Sequence, residues 1–206
     1  MTRNEPIPAP LHDIVAPESG WEAGELHTAI FAGGCFWGVQ SVFQRVTGVQ
    51  KTTVGYAGGS KHTAIYRAVS SMDTGHAEAI EIIYNPDEVT FGTLLRIFFS
   101  VVHDPTQLNR QGADHGTQYR SHIFYTTDEQ KETAEAYVQQ LNAAHVFPAP
   151  IVTQITPLIE FFPGEEYHQD YALKNPHNPY IQVCDIPKIA DLKKQFPTLF
   201  QEYTLP

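Results

Sequence analysis

Residues 26–43 read Leu-His-Thr-Ala-Ile-Phe-Ala-Gly-Gly-Cys-Phe-Trp-Gly-Val-Gln-Ser-Val-Phe. The stretch 26–32 has strand character and runs into Gly33-Gly34. Phe36, Val39, Phe43 and Val46 then recur at helical spacing on one face, and Gly48 stops the helix. A strand, a tight glycine turn and a helix are therefore expected, with Cys35 at the junction. Unpaired N–H groups and the macrodipole at a helix start favour negative charge, and such positions lower a thiol pKa to roughly 3.5–7.5. Cys35 is thus the candidate nucleophile, as a thiolate. The competing reading is an inert buried cysteine beside a structural turn.

Outward from this unit, 49–56 reads as a strand closed by Gly58-Gly59, and 76–84 as a strand ended by Asn85-Pro86. Phe91, Leu94, Leu95, Phe98 and Val102 form the apolar face of a second helix. Residues 119–125 read as a strand. Residues 128–141 read as a helix with Asp128 near its start, where an acid is favourable. A short strand is expected at 151–155, and short helices around 166–173 and 188–194. Residues 1–24 hold Pro6, Pro8, Pro10 and Pro17 and read as an irregular arm, leaving 25–206 as a single catalytic domain. Strands interleave with helices through uneven connections. The expected class is α+β: a two-layer α/β sandwich with a mixed sheet, a ferredoxin-like core and long coil segments, rather than a doubly wound parallel sheet.

The 206 residues are 42% hydrophobic and 17% charged, a globular balance with ample material for a core. A net charge of −10 with no basic stretch argues against nucleic acid or an anionic membrane as partner. No apolar run approaches the roughly 20 residues of a membrane span, and the first twenty residues lack the apolar core of a secretory signal. A cytoplasmic location is the resulting expectation. Two cysteines, Cys35 and Cys184, are too few for a disulfide framework but enough for one redox-active pair.

Three constellations add chemistry. Phe36 and Trp37 adjoin the thiol and are suited to an apolar box for a methyl or thioether group, although Phe36 also starts the helix's core stripe. In Asp73-Thr74-Gly75-His76-Ala77-Glu78-Ala79, strand alternation puts Glu78 on the face of Ile80, Ile82 and Tyr84. Desolvation there raises a carboxyl pKa and suits it to general acid work; an edge glutamate reaching solvent is the alternative. His76-Ala77-Glu78 resembles the His-x-Glu of zinc deaminases, but no Pro-Cys-x-x-Cys follows, so no metal is expected. The segment 103–121 is dense in polar groups, as functional loops are.

These residues resemble the A-type peptide methionine sulfoxide reductases. The resemblance spans roughly 26–197. It rests on Gly33-Gly34-Cys35-Phe36-Trp37-Gly38, Gly55-Tyr56-Ala57-Gly58-Gly59, Thr74-Gly75-His76-Ala77-Glu78-Ala79, the stretch 103–121, and Glu166-Tyr167-His168-Gln169-Asp170-Tyr171, all in the family's order. It implies reduction of methionine S-sulfoxide, free or in proteins, to methionine, a reaction that restores oxidised methionine. By resemblance, Cys35 attacks the sulfoxide sulfur and becomes a sulfenic acid. Phe36 and Trp37 hold the substrate methyl, and Glu78 protonates the oxygen. Tyr66 and Tyr119 hydrogen-bond that oxygen, with Asp114 acting through a water. No cofactor is implied. The implied partners are oxidised proteins or peptides, free methionine sulfoxide, and thioredoxin, glutaredoxin or a small thiol as reductant, acting on a monomer.

Two departures stand out. Ser70-Ser71-Met72 replaces the Cys-Ser-Gly often found before the Asp-Thr-Gly-His-Ala-Glu motif. Pro179-Tyr180 is followed by Ile181, where many members carry the resolving cysteine. Cys184 is either the resolving thiol or a structural residue of the segment carrying Ile181, Val183 and Ile186. The same residues also fit two other classes: a cysteine hydrolase pairing Cys35 with a histidine such as His76 or His168, and a non-catalytic module binding oxidised methionine. Neither accounts for five ordered motifs.

Overall fold

The computed structural model describes residues 6–71 and 73–205. Residues 1–5 of the expected arm, and Met72 of the 70–72 run, lie outside the described residues. The run at 26–32 forms β1 (His27–Ala32) and is followed by α1 (Phe36–Phe43). Then come β2 (Val49–Ala57), α2 (Tyr66–Val69) and β3 (Ala77–Tyr84). Helix α3 (Phe91–Ile97) runs on into a π turn, Phe98–Val102. The pair β4 (Arg110–Gln111) and β5 (Asp114–His115) forms a small hairpin ahead of β6 (His122–Tyr125) and α4 (Asp128–Ala143). The last elements are β7 (Gln154–Pro157), β8 (Phe161–Pro163), α5 (Tyr171–Lys174) and α6 (Ile186–Gln195).

Six strands make one mixed sheet in the order β7-β6-β1-β3-β2-β8. β6 and β7 are parallel, and the other neighbours are antiparallel. Strand alternation sends Ala29 and Phe31 of β1, and Ile80 and Ile82 of β3, into the main core. There they meet Val39, Val42 and Phe43 of α1, Leu94 and Leu95 of α3, and Tyr137 and Leu141 of α4. The intervening Ile30, Ala32, Ala77 and Ala79 form a smaller cluster on the other face, under Leu158 and Phe161. Both faces of the central strands are thus buried, which is why they read as near-continuous apolar runs.

The arm has no helix or strand over its described part, yet it is tied down. Ile7 is fully buried, Tyr137 Oη donates to the Pro8 carbonyl at 2.6 Å, and Arg96 Nε donates to the Ile7 carbonyl at 2.6 Å. Asp13 accepts from the Gly92 N–H at 2.7 Å, in the first turn of α3.

Several boundaries differ from expectation. The strand expected at 119–125 begins only at His122; Thr117–Tyr119 is a 3₁₀ turn, because the Tyr119 N–H bonds back to the Gly116 carbonyl. The strand expected at 151–155 is β7, shifted onward because the Val152 N–H is taken by the Pro105 carbonyl. The helix expected around 166–173 is split into a 3₁₀ turn (Glu166–His168) and α5 by Asp170, at φ 58°. No helix among the described residues is long and apolar enough to cross a membrane.

Candidate active site

Cys35 caps α1 at the end of the glycine turn. Gly34 has φ +88°, which L side chains avoid, and a Cβ there would stand 2.8 Å from Gln111 Cγ. At Gly33 a Cβ would stand 2.9 Å from the Phe98 ring, so the turn packs as closely as only two glycines allow. Cys35 is 8% exposed. Burial pushes its thiol well above the ordinary value, and Glu78 and Asp185 push the same way. The Trp37 N–H and Lys188 oppose this only in part. This corrects the expectation of a pre-formed thiolate. Removing an anion from water costs more than one helical turn's partial charge returns, so the resting group is a neutral thiol.

Glu78 is 3% exposed and pairs in register with Tyr56 across β2–β3. Its Oε2 accepts the backbone N–H of Phe36 at 3.0 Å. Burial raises its carboxyl to about 8, against that hydrogen bond and helped by Asp114. The desolvated acid read from strand alternation is therefore present, protonated at neutral pH and bonded to the residue after the thiol.

Phe36, Trp37, Tyr66, Tyr119 and Tyr180 gather around Cys35 in one apolar cluster with Tyr56, Val54 and Val69. Phe36 is fully buried against the rings of Tyr56 and His168, so it forms the floor of the site; Trp37 is partly exposed. The indole is held on three sides. It stacks on Tyr171 at 3.9 Å between centroids, meets Tyr180 edge-on, and donates from Nε1 to His168 Nδ1 at 3.1 Å. Burial raises the Tyr66 and Tyr119 hydroxyls, and Glu78 and Cys35 add to this, which puts both phenols within electrostatic reach of acid and thiol. Asp114 accepts from the Tyr180 hydroxyl.

Three of these features were not legible in the sequence. Tyr180 reaches the cluster from the helical backbone that leads into the π turn Ile181–Asp185, and no periodicity flags it. His168 is locked between Trp37 and the rings of Phe36 and Tyr66. Glu165 accepts from the Tyr56 hydroxyl at 3.0 Å and the Tyr66 N–H at 3.1 Å. The motif 166–171 pointed to the neighbourhood of the last two but not to their contacts. Neither histidine of the hydrolase reading is bonded to Cys35. His76 uses its ring on the Gly59 N–H and the Ser60 carbonyl, and His168 accepts from Trp37. Cys184 is a free, partly exposed thiol in the π turn Ile181–Asp185, which packs against α1.

A family model described as "Peptide methionine sulfoxide reductase" matches residues 27–199. Similar curated proteins include peptide methionine sulfoxide reductase MsrA 2 of Mesorhizobium japonicum, 57% identical over 85% of this chain and 90% of that protein. The protein of the same name from Synechocystis is 50% identical over 92% of this chain and 88% of its own length. Among solved structures, the reduced form of Mxr1 from Saccharomyces cerevisiae matches with a TM-score of 0.65 at 34% identity, covering 77% of this chain and 90% of that one. Methionine sulfoxide reductase A of Corynebacterium diphtheriae matches with a TM-score of 0.65 at 34% identity, covering 86% and 87%.

Proposed function

The chain belongs to the peptide methionine sulfoxide reductase family, and from that premise we propose how its residues divide the work of reducing methionine S-sulfoxide, free or in proteins. The observation that carries the reading is the pairing of a buried thiol at the head of α1 with a protonated Glu78 held against the next residue's N–H. Cys35 Sγ attacks the sulfoxide sulfur. Glu78 gives its proton to the sulfoxide oxygen, which makes the sulfur more electrophilic. The S–O bond then breaks as oxygen passes to Cys35, and the thiol's proton replaces the one Glu78 gave. Cys35–SH plus methionine sulfoxide thus becomes Cys35–SOH plus methionine, with no proton left over.

Trp37 and Phe36 hold the substrate methyl. Tyr66 and Tyr119 donate to the sulfoxide oxygen, and Asp114 supports them through a water. A thiol then attacks the sulfenic acid, releasing water and forming a disulfide, and a second thiol frees Cys35. Thioredoxin, glutaredoxin or a small thiol supplies the electrons. Cys184, close in sequence to Tyr180 of the cluster and partly exposed, is the candidate for the first attack. We further infer a ferredoxin-like core, supported by the order β6-β1-β3-β2 with antiparallel neighbours. A monomeric, cytoplasmic enzyme with residues 1–24 as an arm on one catalytic domain completes the reading.

The test offers both diastereomers of a methionine sulfoxide substrate with dithiothreitol. Turnover of the S form alone is expected; turnover of the R form, or of neither, overturns the proposal.

A further inference from the structure

The carboxylate of Asp185 lies against Gly38, in the first turn of α1. A Cβ at Gly38 would collide with Asp185 Oδ1 and stand 2.8 Å from Lys188 Nζ, so glycine is what admits the pair. Asp185 is fully buried, and neither of its carboxylate oxygens has a hydrogen-bond partner among the described residues. Lys188 Nζ stands 3.6 Å from Oδ1, outside good hydrogen-bond length. Its side chain is 19% exposed, and it reaches a cleft lined by His103, Asp104, Gln111 and Asp191. A carboxylate withdrawn from water with only one long ion pair to Lys188 is costly, and a purely structural aspartate would gather N–H groups.

Placement gives this pair a task. Gly38 follows Cys35 by three residues, so both lie on the same side of the first helical turn. Charge at Gly38 therefore acts on the sulfur at short range through a poorly screened interior. The Asp185 anion opposes a thiolate at Cys35, and the Lys188 cation favours one. Asp185 itself is pushed up to about 6 by burial, against Lys188, so it still carries charge at neutral pH.

We propose that Asp185 and Lys188 are positioning residues for Cys35: a buried pair of opposed charges that sets how tightly the sulfur keeps its proton, without touching substrate. This rests on Cys35 being the nucleophile, but its test needs no turnover. The other titratable groups facing Cys35 are Glu78 from β3, Tyr66 from α2, Tyr119 from the 117–119 turn, and Tyr180 with Asp114 behind it. They are common to every variant compared, so differences between profiles isolate the pair.

The experiment is the rate of Cys35 alkylation by iodoacetamide from pH 6 to 11, in a Cys184→Ser background so that one sulfur reacts. Asp185→Asn is expected to move the profile acidward by about one pH unit, a tenfold faster reaction below the plateau. Lys188→Met is expected to move it alkaline by a similar amount, and Lys188→Arg to leave it in place. A merely structural role would not produce shifts of opposite sign. Profiles that superimpose, or that move in the same direction, overturn the proposal. If Asp185→Asn does not fold, Lys188→Met decides: an alkaline shift supports the proposal, and no shift or an acid shift overturns it. Should the profiles move as expected while neither sulfoxide diastereomer is reduced, the functional reading fails and the charge pair stands.

Discussion

Oε2 of Glu78 accepts the backbone N–H of Phe36 at 3.0 Å, so the acid on β3 is anchored to the residue that follows the thiol on α1. The bond crosses from sheet to helix and joins two motifs 42 residues apart. It holds Glu78 in place while burial keeps it protonated.

From that anchor comes a pH prediction. Glu78 must be protonated to act as acid, and its carboxyl is raised to about 8. The single-turnover rate of sulfoxide reduction should therefore fall as pH rises through about 8. Glu78→Gln should lower the rate by roughly 10² and remove that alkaline limb. Retention of the limb in the variant would take Glu78 out of the proton step.

Tyr66 and Tyr119 make a graded prediction. If each phenol donates one hydrogen bond to the sulfoxide oxygen, each Tyr→Phe variant should lose roughly tenfold in single-turnover rate, about 1–1.5 kcal/mol per bond. The double variant should lose more than either alone. Rates at wild-type level in both would leave the tyrosines as packing residues.

Trp37 is oriented by His168, and the orientation needs neutral imidazole, since Nδ1 must accept. Burial lowers the His168 pKa, so the ring stays neutral below its usual range near 6.5. His168→Phe keeps a ring but loses the acceptor. We expect a several-fold higher KM with a smaller change in kcat, and altered Trp37 fluorescence in a Trp21→Phe background. Unchanged emission and KM would show that stacking on Tyr171 suffices.

Recycling is tested at Cys184. With thioredoxin as reductant, Cys184→Ser should slow steady-state turnover while leaving the first, single-turnover reduction intact. Full thioredoxin-dependent turnover in the variant would assign recycling to direct attack by external thiol.

Acid stability carries a sign that can be checked. Burial lowers His103 to about 3, a shift its bond to the Phe98 carbonyl only partly offsets; burial and Arg120 lower His122 to about 3. Both rings are neutral when folded, and both take up protons near 6.5 once unfolded. The histidines' share of the stability should thus be full above about 6.5 and be lost as pH drops toward 3. Glu78 and Asp185, whose carboxyls are raised to about 8 and about 6, add stability as pH falls over part of the same range. The urea midpoint of the wild type relative to a His103→Gln, His122→Gln variant at pH 7, 5 and 4 isolates the histidines, and the difference should shift toward the variant as pH falls. A difference that does not change with pH would mean the rings can be protonated in place.

The central strands, α1, α3 and α4 were legible because burial imposes a period on their side chains, two along a strand and near four along a helix. β8, the β4–β5 hairpin and the π turn at 181–185 were not, because they are too short for any period to repeat. The strand expected at 119–125 misled for a related reason. Tyr119 and Ile123 are strand-like residues, but the backbone at 117–119 satisfies itself by turning at Gly116.

Sequence by itself determined that Cys35 stands between a strand and a helix, that Glu78 lies on an apolar strand face, and which family the ordered motifs belong to. These follow from local spacing, which a chain carries before it folds. Tertiary structure alone decided the charge state of the thiol. A helix start argues for a thiolate, but burial among Glu78, Asp185 and aromatic rings argues more strongly for a neutral sulfur. Desolvation and Coulomb energy depend on distance through space, and Asp185 stands 150 residues along the chain from the sulfur it acts upon.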